Sequence, residues 1–165
     1  MMYDASIPVF VHFLNGLAAL LRKTEAHVQA RKIDPNAFLT ARLFPDMFTF
    51  TKQVQLACDF AKGTSARLAD VTNPSHADEE KSFDDLQERI RKTVDFLRSL
   101  TKEQFAAAAE RQITFKAGGQ ERTLKGADYL SGVGLPNFYF HVTTAYGLLR
   151  HNGIEIGKAD FIARF

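Results

Sequence analysis

The stretch NFYFHVTTAYGLLR, from Asn137 to Arg150, decides how the chain folds. It carries no fixed charge before its closing arginine. Phe138, Tyr139, Phe140, Val142, Ala145, Tyr146, Leu148 and Leu149 spread over most of its circumference at about 100° per residue. Such a segment is an interior helix, or one covered in part by a second subunit. His141 is then enclosed, and an enclosed imidazole needs partners for its nitrogens. Asn137, one turn earlier, and Thr144, three residues later, share its face. Three roles are open to His141: the remnant of a metal site, an acid–base group tuned by burial, or a core histidine that has found a hydrogen bond.

Leu135-Pro136-Asn137 opens this helix, and Gly153 is a natural stop, after which the tail can lie back over the bundle. His151, beside the stop, reads as a cation suited to the helix's negative end. Upstream, QITFKAGGQERTLKG changes to a period of two. Ile113 and Phe115, the Gly118-Gly119 turn, and Arg122 to Leu124 predict a hairpin. A lone hairpin is marginal in water, so it is expected to lie against helices. The glycines have no following helix or lysine–serine pair that would make a phosphate cradle. Gly126 to Leu130 adds one more turn.

Three further helices precede the hairpin. The first starts at Ser6-Ile7-Pro8, with the serine hydroxyl as cap, and runs to about Ala30. Its inner stripe is Ile7, Phe10, Leu14, Leu17 and Leu21. His12 falls opposite that stripe, beside Lys23, as a solvent or subunit-contact histidine. Asp34-Pro35 caps a short turn, and Pro45 opens the second helix, whose face is Met47, Phe50, Val54, Ala57, Cys58 and Ala61. That helix fades near Asp70. VTNPSHADEEKS is the most loop-like segment, and its His76 reads as solvated. Ser82-Phe83-Asp84-Asp85 is a capping box with aspartate in the usual glutamate position. Phe83, Leu86, Ile90, Val94 and Leu97 of the third helix face inward. Glu88, Arg89, Arg91, Lys92, Asp95 and Arg98 are assigned to water, as a solvated surface. Thr101 caps a turn through Phe105. The sum is one all-α domain over residues 1–165, a four-helix bundle with a small β-hairpin before the last helix.

Composition limits the function classes. The 165 residues can bury a core without disulfides, and fifteen phenylalanines with no tryptophan suit packing between helices. The 21 basic and 19 acidic residues alternate, giving a net charge of +2, so no nucleic-acid partner is expected. No stretch reaches the roughly 18 apolar residues of a membrane span. The single cysteine, Cys58, excludes an intrachain disulfide and fits a reducing compartment. It reads as a small buried hydrophobe rather than a nucleophile, with no histidine in its helix. The N-terminal MMYDASIPVFVHFLNGLAALLRK has the wrong order of charge and apolar run for a signal peptide. A cytoplasmic location is expected.

Three segments carry a family resemblance: ARLFPDMFTFTKQVQLACDFAKG, ADYLSGVGLPNFYFHVTTAYGLLRHNG and the GKADF tail. They resemble an uncharacterised bacterial family of the DinB/YfiT-like superfamily of four-helix-bundle metalloenzymes. The resemblance implies a DinB-like bundle and a homodimer formed through bundle helices. It also implies a divalent metal held by three histidines, one on helix two and a His-x-x-x-His pair on helix four. In this chain His141 takes the second position of that pair, Asn137 the first, and Gln53 falls near the helix-two position. The pattern is thus broken at two of three ligands, and amide oxygens are poor partners for zinc or nickel. No cofactor is expected, and a hydrogen-bonded polar pocket is the expected relic. A weak or substrate-completed divalent metal at His141, using Asp46 or another carboxylate, is the alternative. The pocket candidates are Gln53, Asn137, His141, Thr144 and Tyr146. The expected function is small-molecule binding without metalloenzyme activity. A metal-dependent transferase or hydrolase is the alternative, and an interaction protein with no ligand is a third.

Overall fold

A computed structural model describes residues 1–162. Four long helices form the bundle: α1 (Ile7–Arg31), α3 (Phe50–Ala69), α4 (Phe83–Ser99) and α6 (Leu135–His151), with a short α2 (Asn36–Leu39) between the first two. The α1 stripe of Ile7, Phe10, Leu14, Leu17 and Leu21 is buried as the spacing requires. Ser6 does not cap this helix. Its hydroxyl turns back to donate to the Met2 carbonyl at 2.7 Å, because a preceding turn leads directly into α1. Helix α3 begins at Phe50 rather than Pro45. Thr49 is the residue whose hydroxyl accepts from the Lys52 amide, so Pro45 and Met47 remain in the connecting turn.

Ser82 caps α4 by accepting from the Asp85 amide, while the Asp85 carboxylate accepts from the Lys81 amide. A 3-10 turn at Lys102–Phe105 carries the Thr101–Gln104 capping box. Strands β1 (Gln112–Ala117) and β2 (Gln120–Lys125) pair antiparallel across Gly118 and Gly119, both at positive φ. Ile113 and Phe115 are buried, and the Phe115 ring lies 5.0 Å from that of Tyr129 in α5 (Gly126–Tyr129). A π-helical turn, Leu130–Gly134, leads straight into α6. Gly134 is needed there: a Cβ would sit 2.6 Å from Thr64 Cγ2 of α3, the neighbour on which α6 packs.

Helix α6 is less enclosed than its composition suggests, since Pro136, Phe140 and Thr143 form an exposed edge. After Gly153 the chain returns over α1 as α7 (Lys158–Ile162). Phe161 packs between Phe13 and Tyr146, and Lys23 pairs with Asp160 at 2.6 Å. His12 Nε2 bonds the Ile162 carbonyl at 2.5 Å, which ties α1 to the tail. No helix among the described residues is long and apolar enough to cross a membrane.

Candidate functional site

Gln53 lies one turn into α3 and His141 near the middle of α6, and the close packing of these helices brings both into the interior. The His141 Nδ1 stands 2.7 Å from Gln53 Oε1. The amide's other end donates to the Phe48 carbonyl at 3.4 Å, which fixes its orientation. A carbonyl oxygen only accepts, so Nδ1 carries the proton and Nε2 keeps its lone pair. Phe60 stacks on the imidazole at 5.5 Å, and Phe140 meets its edge at 5.3 Å. Burial lowers the His141 pKa to about 4, which keeps the ring neutral at pH 7. His141 as a whole remains 7% exposed.

The other expected pocket residues are turned inward on their own helix or elsewhere. Asn137 donates to the Val133 carbonyl at 2.8 Å, and the Thr144 hydroxyl to the Phe140 carbonyl at 2.7 Å. Both are local side-chain-to-backbone closures. The Tyr146 ring contacts Phe161, on the α7 side of α6, and Asp46 is exposed in the turn before α3.

His141 is oriented as a metal-binding histidine would be, with one nitrogen anchored and the other free. Yet Gln53 is used as that anchor and not as a ligand. Among the described residues, no group of three or more His, Cys, Asp or Glu side chains could hold a metal ion. One imidazole beside amides does not fit zinc or nickel.

A second polar cluster lies across α3. Arg89, assigned to water by its place in an amphipathic helix, is 2% exposed. Its guanidinium donates to Asp59 at 2.9 Å, to Glu80 at 2.8 Å and to the Ala77 carbonyl at 3.1 Å, and lies 3.0 Å from Asp78. Lys62, also buried, donates to the Pro74 carbonyl at 2.5 Å, while Lys52 pairs with Asp78 and Gln55 with Glu80. These bonds draw the segment 71–81 over α3 and α4. His76 is consequently half-buried rather than solvated, with its Nδ1 sealed and unpartnered. A cleft of about 410 Å³ remains between this segment and α4, lined in part by His76, Glu79, Glu88 and Lys92. Two sequence signals pointed here. Lys52, Gln55, Asp59 and Lys62 form a polar stripe at helical spacing, and Arg89 lies between Leu86 and Thr93 on the edge of the apolar face. Cys58 is fully buried beside this cluster, and burial pushes its thiol up to about 12, which leaves it inert.

Residues 2–162 match a family described as a domain of unknown function, DUF1993. No curated protein matches the chain. Among solved structures, the 1.83 Å crystal structure of a DinB family member protein from Shewanella denitrificans is 39% identical, with a TM-score of 0.94. The similarity covers all of this chain and 93% of that one. With its bundle, its hairpin and its single buried histidine on α6, the chain belongs to the DUF1993 family, a DinB-like group of unknown function.

Proposed function

We propose that this protein is a non-catalytic member of the DinB-like bundles that binds a small aromatic molecule bearing one hydrogen-bond donor. The anchored Nδ1–H of His141 carries the reading, because it leaves Nε2 as an acceptor on a ring that Phe60 stacks and Phe140 meets edge-on. A neutral imidazole accepts from a hydroxyl or N–H group, and Phe60 and Phe140 offer stacking area. The alternative, a metal-dependent transferase or hydrolase, is disfavoured by the donor set.

Leu43, Phe44 and Phe48 before α3, and Phe140 on α6, are large apolar residues that are each at least half exposed. We assign them to a homodimer contact. The lone, unbridged Cys58 supports a cytoplasmic setting.

Thermal melts of the full chain against a panel of small phenols and indoles, at several protein concentrations, test both parts. A binder should raise Tm in the wild type and not in His141→Leu, and Tm should climb with protein concentration. The binding reading is lost if no probe raises Tm, or if the rise survives His141→Leu. A Tm independent of concentration ends the dimer assignment.

A further inference from the structure

We infer that the segment 71–81 is a proton-sensitive strap, closed on Arg89 while His76 is neutral and loosened when His76 takes a proton. The strap is fastened almost entirely by polar contacts: Lys62 to the Pro74 carbonyl, Arg89 to Ala77, Asp78 and Glu80, Lys52 to Asp78, and Gln55 to Glu80. Val71, at its start, is its apolar anchor on the core. Closure therefore depends on charge and hydrogen bonding rather than on apolar burial, and such segments open at lower cost than core elements.

His76 sits where a second ring proton has no acceptor. Lys62 and Asp59 face it from α3, and Arg89 and Lys92 from α4, with Glu88 and Asp85 further along the cleft. Asp78, Glu79 and Glu80 flank it on the strap itself. Arg89 and Lys62 already hold Asp59, while Arg89 and Gln55 hold Glu80. His76 Nδ1 and Arg89 Nε are both sealed without a partner, so closure strands two polar atoms that water would satisfy on opening.

Burial, then the Lys62 and Arg89 charges, hold the His76 pKa below the ordinary 6.5. A base held below its ordinary value contributes to closure fully above pH 6.5, and that contribution is lost as pH falls below it. At about pH 5.5 the closed-to-open ratio should fall by up to about tenfold.

Nitrogen-15 NMR of the full chain, stepped from about pH 7.5 to about 5.5, tests the strap. The amides of 75–81 should move toward unstructured positions on one titration curve. The Arg89 Nε–H signal should exchange faster on that same curve, while α1 and α6 resonances stay dispersed. His76→Leu should abolish the transition in this range, and Glu80→Gln should loosen the strap already at pH 7.5. The inference is overturned if strap signals stay fixed while His76 titrates. It is equally overturned if His76→Leu shows the same transition, or if the whole bundle unfolds with the strap.

Discussion

On its α6 side, α3 presents Gln53 to His141, and both groups are buried uncharged in a single hydrogen bond. On its α4 side, two residues along, the same helix presents Gln55 to a cluster of Arg89, Lys62, Asp59 and Glu80, where buried cations depend on carboxylates. A neutral pair loses little when both members leave together, because no charge is stranded. A charged hub has no such exit: each partner removed leaves an ion in a place chosen for its absence from water. One side of the bundle is therefore built to tolerate change and to offer a free imidazole nitrogen. The other is built to fasten a loop.

The largest effect should come from Arg89→Ala, which leaves Asp59 with Lys62 alone and the nearly buried Glu80 with only the Gln55 amide. Urea unfolding should show a loss of about 3–5 kcal/mol. A loss below 1 kcal/mol would mean that water already neutralises the cluster and that the contrast between the two sides is false. A smaller effect is expected across α3. Gln53→Leu strands the His141 Nδ1–H and should cost about 1–3 kcal/mol, most of it recovered in Gln53→Leu with His141→Leu. If the double variant is as unstable as the single one, the pair is held by packing rather than by its hydrogen bond.

The bundle was legible because its signals are local. The stripe Ile7, Phe10, Leu14, Leu17 and Leu21, the cap at Ser82 and the Gly118-Gly119 turn each declare an element within a few residues. Helix α6 stood out as apolar, and a histidine within it had to find a partner, so Gln53 opposite His141 could be anticipated from the family spacing. Arg89 was misassigned for a physical reason. On a helix wheel it borders the polar face, and only the fold of 71–81, a segment with no periodicity, brings Ala77, Asp78 and Glu80 over it. The His12 contact with the Ile162 carbonyl is hidden from local reading for the same reason, since the two lie 150 residues apart. Ser6 marks the start of α1 without capping it through its hydroxyl, whereas Pro45 lies in the turn before α3, which Thr49 caps instead.

One imidazole, tied by an amide, has been left without the company a transition metal needs. Long-range proton–nitrogen NMR on the His141 ring at pH 7, before and after one equivalent of zinc, addresses it directly. The account predicts a proton on Nδ1, a bare Nε2, and no stoichiometric change when zinc is added. A saturating shift of the Nε2 signal at one zinc per chain, lost in His141→Ala, would contradict it.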